Sequence, residues 1–191
     1  MTARRHLSIE DVFKKQKYRN IMYLISTYSD FHPDKKLKFI HLRYALCKNP
    51  GLNLDNKLEK DLKDFFNNPF HDRLIKDFNK QYKKGIITKQ ELEALIKQLG
   101  ETELDRLKKY GWLTDETKFS TFQTLSNALA RIEKLGLINR LNDKKGHKYY
   151  MITERGLDES TKYFIRWYMD NYLTGDKLEQ LRYYAMILNS L

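Results

Sequence analysis

The chain has 191 residues, 36 Lys plus Arg against 25 Asp plus Glu, and a formal charge of +11. Apolar residues at 41% and charged residues at 32% argue for a soluble folded chain and against disorder, and eight glycines with three prolines are too few for an all-β architecture of many tight turns. A single cysteine, Cys47, excludes an intrachain disulfide framework, no uninterrupted 18-residue apolar run is present, and the start lacks the apolar core of a secretory signal. A cytoplasmic protein with no membrane segment is expected, and its positive surplus favours a polyanionic partner.

The charge is uneven. Residues 1–50 carry 11 basic and 4 acidic side chains, and residues 51–110 carry 13 and 11. Residues 111–156 carry 8 and 5, and residues 157–191 carry 4 and 5. The aromatic-rich last segment is therefore suited to packing rather than to phosphate.

In chain order, Ile9, Val12, Phe13, Ile21, Leu24, Ile25 and Tyr28 form one apolar stripe, so a helix is expected over 9–28 with Ser8 as its cap. Arg4 and Arg5 before it offer a basic arm, or simply a solvated terminus. A second helix is expected after Pro33, carrying Leu37, Ile40, Tyr44 and Cys47 and ended by "KNPGLN". Cys47 itself suits a buried small hydrophobe. Between Leu54 and Tyr82 the spacing predicts two helices broken near Pro69. "TKQELEALIKQLG" starts with a capping box, Thr88 with Glu91, and Gly100 is placed to end it in a left-handed conformation. A shorter helix over Thr102–Tyr110 follows, then Trp112 and Leu113 as core residues.

Residues 122–156 change character within a short span. Leu125, Ala128, Leu129, Ile132 and Leu135 share one helix face, with Ser120 or Thr121 as cap. The opposite face presents Gln123, Thr124, Asn127, Ala130, Arg131 and Lys134, with Ser126 near the boundary. Gln and Asn can pair with adenine and Arg with guanine in a major groove. Gly136 should end the helix. "LINRL" then predicts a strand held to the core by Leu137 or Ile138 and by Leu141. "NDKKGH" predicts a turn, and "KYYMIT" a returning strand with Tyr150 and Ile152 on one face. Arg140, Lys144, Lys145, His147 and Lys148 gather near the tip, where lysines can hold phosphate.

The order of helix, "RIEKLGLI" (131–138), basic hairpin and "ITERG" (152–156) resembles the winged helix-turn-helix of MarR-like and PadR-like transcription regulators. The resemblance covers residues 122–156. It implies a mainly α fold with a small β-hairpin wing and flanking helices, and a recognition helix at 122–135. It further implies base-facing or phosphate-facing roles for Gln123, Thr124, Ser126, Asn127 and Arg131, with Lys144, Lys145 and Lys148 in the wing; Lys134 on the same helix face and Arg140 near the hairpin tip join the candidate DNA contacts by position. The implied function is sequence-specific double-stranded DNA binding in transcriptional regulation, with no enzyme activity, no cofactor and no metal. A small-molecule effector is possible but unassigned. A DNA-binding protein of a plasmid, virus or mobile element and a winged module for protein contacts are the alternatives.

The expected division is a helical region at 1–84, a winged module at 85–156, and C-terminal helices at 157–191, whose apolar surface suits either covering the same chain or packing on a second subunit; the resemblance favours the homodimer. One departure from the family pattern is "KYGWLTDETKFSTF", between the helix over 102–110 and Phe122. Either "TDETKF" supplies a short helical turn or the connection is enlarged. "KQYKKGIITKQE" imitates a calcium loop but has Lys80 and Lys84 where carboxylates are needed. His6, His32, His41, His71 and His147 are scattered without zinc-ligand spacing.

Overall fold

The structure is a computed structural model and describes residues 7–30, 35–67 and 71–172, with the side chains of 30, 71–74, 98–99 and 168–172 left out. Arg4, Arg5, Pro33, Pro69 and the second C-terminal helix expected beyond Gly175 lie outside these residues. The elements run α1 (Ile9–Lys14), α2 (Gln16–Asp30), α3 (Phe39–Leu46), β1 (Cys47–Asn49), α4 (Asn56–Phe65), α5 (His71–Lys83) and α6 (Lys89–Gly100). Then come α7 (Glu103–Lys109), β2 (Phe119–Thr121), α8 (Phe122–Lys134), β3 (Ile138–Asn142), β4 (Lys148–Ile152) and α9 (Glu154–Tyr172). The architecture is mainly helical with a small β-hairpin, a winged-helix-like fold with flanking helices.

The single helix expected over 9–28 is two. Ser8 and Asp11 form a capping box that starts α1, and Lys15 is extended at φ −84° and ψ 114°. The run "KKQK" (14–17) has no apolar side chain to extend the stripe, so nothing holds a continuous helix against the core. The break instead lets Phe13 stack on Tyr163 of α9 at 5.1 Å. The second helix is shorter than expected at both ends. Leu37 is extended and accepts a hydrogen bond from the Tyr150 amide at 3.1 Å, beside a bridge between Lys38 and Tyr149. Cys47, expected on the helix, opens β1 and is buried.

β1 pairs in parallel with β2, Cys47 opposite Phe119 and Asn49 opposite Thr121. Neither strand stands out in the sequence, because each is three residues long and their pairing spans residues 50–118. α3 packs on α8 across the same gap. The stretch "TDET" is a turn in which the Thr114 amide donates to Thr117 Oγ1 at 2.9 Å. Of the two alternatives, the connection is therefore the enlarged one.

One hydrophobic cluster joins Val12, Ile21, Leu24 and Ile25 to Leu42, Phe66, Leu107 and Trp112, and these to Leu125, Leu129, Ile132, Leu137 and Tyr150. The cluster draws on residues from both sides of residue 84. α9 closes it with Tyr163, Phe164 and Trp167; Trp112 meets Trp167 at 4.4 Å between ring centroids. A buried polar link stiffens the same region: Asn20 Nδ2 donates to the Trp112 carbonyl at 2.9 Å, which Thr117 Oγ1 also reaches at 2.7 Å.

Two inserted helices stand apart from that cluster. α5 and α6 pack chiefly on each other, with Leu92 buried between them and absent from the main core. The expected Thr88–Glu91 box is formed, by the Thr88 amide on Glu91 Oε2 at 2.7 Å and the Glu91 amide on Thr88 Oγ1 at 3.2 Å. Gly100, expected to be left-handed, is instead the last residue of α6 and has no positive φ. The chain passes directly into the Thr102 cap of α7, so no reversal is needed there.

Candidate nucleic-acid interface

α8 begins at Thr121, whose hydroxyl accepts from the Thr124 amide at 3.3 Å, while Thr124 Oγ1 donates back to the Thr121 carbonyl at 2.7 Å. Leu125, Ala128, Leu129 and Ile132 are all buried. Gln123, Thr124, Asn127, Ala130, Arg131 and Lys134 are exposed, and Ser126 is half-buried. The polar face is lightly pre-ordered. Gln123 Nε2 lies 3.5 Å from Asn127 Oδ1, and Arg131 Nη1 lies 3.4 Å from the Tyr18 hydroxyl of α2.

The two phrases that carry the family resemblance meet as one lock. Gly136 has φ +71°, which a side-chain-bearing residue resists. Its carbonyl accepts from Thr153 Oγ1 at 2.7 Å, the Leu135 carbonyl accepts from Arg155 Nη1 at 3.3 Å, and the Leu137 carbonyl accepts from the Thr153 amide at 3.1 Å. Residues 153–155 thus satisfy the carbonyls of the corner, those of Leu135, Gly136 and Leu137. Gly156 completes the fit: a Cβ there would run into the Leu137 carbonyl and lie 2.9 Å from Ile152 Cγ1.

The hairpin places Ile138 opposite Ile152, Arg140 opposite Tyr150 and Asn142 opposite Lys148. Leu137 and Ile138 are both buried, but Leu141 is 40% exposed. Its expected role in the core fails because it pairs with Tyr149 near the tip, on the face that carries Asn139 and Met151 outward. Asp143 organises the turn. One oxygen accepts from the amides of Lys145 and His147, both at 2.8 Å, and the other meets His147 Nδ1 at 3.1 Å and Lys38 Nζ at 3.2 Å. The His147 amide bond is the main reason the Asp143 carboxyl stays far below the usual carboxylate range. Lys144, Lys145 and Lys148 are exposed around this fixed turn. Arg140 is partly engaged, lying 3.9 Å from Glu133 on α8, and so ties the hairpin to the helix.

Several residues at this surface do not stand out in the sequence. Lys48 and Asn49 of β1 are exposed beside Ser120 and Thr121, immediately before α8. Arg43 of α3 donates to the carbonyls of Pro50 and Gly51, both at 2.7 Å, and its guanidinium lies 4.6 Å from the Phe122 ring centroid. That clamp seats the chain leaving β1 against the first residue of α8. His41 is pushed down to about 3 by burial, with Lys38 and Lys35 adding to the effect. It is therefore neutral, and its Nδ1 accepts from the Lys38 amide at 3.0 Å at the start of α3. The β1–β2 pairing and the Arg43–Phe122 contact join segments brought together only by the fold, so no local pattern announces them.

Among the described residues no group of three or more His, Cys, Asp and Glu side chains could hold a metal ion, and no helix is long and apolar enough to cross a membrane. No protein family, curated protein or solved structure matches this chain at a significant level.

Proposed function

We propose that the protein binds double-stranded DNA in a sequence-specific manner, by inserting α8 into the major groove and holding adjacent phosphates with the wing, and that it regulates transcription. One observation carries this reading. α8 buries a complete apolar stripe while exposing Gln123, Thr124, Asn127, Arg131 and Lys134, and the rigid turn after it exposes Lys144, Lys145 and Lys148. Asn and Arg supply direct base contacts, and lysines on phosphate supply salt-sensitive affinity. On this reading the helix-turn-helix is discontinuous. α3 is the supporting helix, α8 the reading helix, and residues 50–118 occupy the place of the turn. A homodimer would present two copies of α8 about 34–36 Å apart to a palindromic site.

The test is selection from a random duplex library followed by titration of variants. Replacing Asn127 or Arg131 by Ala should reduce discrimination at one base position by roughly 1–3 kcal/mol. Replacing Lys144, Lys145 and Lys148 together by Gln should weaken all duplexes and reduce the log–log salt slope by about 2.7, at about 0.9 per phosphate neutralised. If both variants bind selected and random duplexes as the parent does, the proposed surface is wrong.

A second reading, a winged module for protein contacts, draws on Leu141 and Met151, which are 40% and 42% exposed on the outer hairpin face. It predicts that replacing those two residues, and not the lysines, abolishes the relevant association.

A further inference from the structure

The inserted hairpin of α5 and α6 is a projecting arm with an asymmetric charge distribution. Residues 80–89 contain Lys80, Lys83, Lys84 and Lys89 and no acidic side chain, whereas 51–79 and 90–118 together contain 10 basic and 13 acidic ones. The positive charge of the insertion is thus concentrated at the arm's tip. All four lysines are exposed. Among the described residues the only ion pair formed by these four is a loose one, Lys89 with Glu93 at 3.9 Å. The turn between the helices is made by Gly85 at φ +70°. Tyr82 and Ile86 at the same tip are 41% and 65% exposed.

Helix stabilisation accounts for only part of this. A cation near the C-terminus of a helix is favourable, which suits Lys80 and Lys83 at the end of α5. Lys84, whose amide still donates to the Lys80 carbonyl at 3.2 Å, gains from the same end of α5, but Lys89 is the first residue of α6, where the helix dipole disfavours it. Four like charges within ten residues repel one another, a cost that a polyanion removes. Tyr82 and Ile86 add apolar surface suited to the sugar edges of a backbone. The arm's tip is accessible as well as basic, since all four lysines are exposed, while Leu92 is buried and Ile75, Phe78, Leu95 and Ile96 are half-buried along the helices. With a 13-residue α5 rising 1.5 Å per residue, its tip stands about 20 Å from its base. The insertion that carries the arm leaves and rejoins the fold at β1 and β2, beside the cap of α8.

We infer that the tip of this arm, residues 80–89, is a second nucleic-acid contact that grips the phosphate backbone of duplex DNA outside the segment covered by α8 and the wing. The inference rests on the proposed DNA-binding function and adds a sequence-independent element to it. The arm extends the footprint and supplies affinity without altering base preference.

The experiment compares the full chain with a variant carrying Lys80→Gln, Lys83→Gln, Lys84→Gln and Lys89→Gln, on a mixed-sequence duplex of about 40 bp and on one of about 12 bp. Circular dichroism confirms that both proteins are folded. On the long duplex the variant's log–log salt slope should fall by about 3 to 4, at about 0.9 for each phosphate no longer neutralised, and its footprint should shorten. On the short duplex the two proteins should behave alike, and base preference in a selection should be unchanged. An unchanged slope and footprint on the long duplex, while the wing variant still weakens, overturns the arm's role and leaves the α8 proposal standing. Failure of the parent to bind either duplex overturns both. Should the variant lose binding to phosphatidylserine vesicles while its duplex slope is unaltered, the tip serves a lipid surface and the inference falls.

Discussion

Replacing Gly156 by Ala should destabilise the protein by an amount that follows from the corner geometry. The added Cβ would lie 2.8 Å from the Leu137 carbonyl carbon and 2.9 Å from Ile152 Cγ1, with the Leu137 oxygen closer still. Carbon atoms pack best at about 3.5–4.0 Å, so α9 or the start of β3 must retreat by roughly 1 Å. Overpacking of this kind costs about 1–3 kcal/mol, and backbone atoms yield less readily than side chains, so a loss near 3 kcal/mol is expected. For a chain of this size that corresponds to a fall of about 6–12 °C in Tm. The control is Gly100→Ala, also in a helix, where an added Cβ meets nothing within 4 Å. It should be neutral or stabilising by up to about 1 kcal/mol. Differential scanning calorimetry of the two variants decides the matter. A Gly156→Ala protein that melts within about 2 °C of the parent would refute the close approach of α9 to Leu137.

Asp143→Asn should loosen the hairpin turn, because Lys38 and His147 lose their carboxylate partner. The folded-state carboxyl is held below its ordinary value of 3.8, so its contribution is present above about pH 4 and is lost as pH falls through the folded value. The Tm difference between parent and variant should therefore narrow as pH falls below about 4; a difference that grows there would contradict the assignment. Cys47 is buried and its thiol is pushed up to about 11 by burial, so only on the order of one molecule in a thousand carries a thiolate at pH 8. Its reaction with a thiol reagent should be slow in native buffer and rapid in denaturant. Stoichiometric labelling of the native protein within a minute would show that the site is open.

The strongest local signals correspond to the structure. The stripe of Leu125, Leu129 and Ile132, the Gly136 corner and the hairpin lie within one continuous segment, so period and turn chemistry are enough to find them. The Thr88–Glu91 box and the division of residues 54–82 into two helices are legible for the same reason. What cannot be read depends on partners far apart in the chain. β1 and β2 are three-residue strands with no period to detect, so the packing of α3 on α8 stays hidden in the sequence. Lys15 shows a smaller version of the problem: helix propensity favours continuation there, but the packing of Phe13 on α9 overrides it. The polar face of α8 is legible as a pattern. The contacts that seat it and its wing, from Arg43, Tyr18 and Lys38, are not.

The parallel pairing of Cys47–Asn49 with Phe119–Thr121 also dictates an order of assembly. Bringing the ends of residues 50–118 together costs about 4 kcal/mol of chain entropy beyond a length-independent constant, from (3/2)RT ln n. Leu125, Leu129 and Ile132 can repay this at about 1.5–3 kcal/mol each, but only once the chain beyond residue 132 exists. During synthesis the first hundred residues must wait with an unfilled core until the helix proposed to meet DNA arrives, and α9 then closes it. A truncated product ending before that helix would leave the apolar seat of α8 exposed and should be cut by protease faster than the full chain.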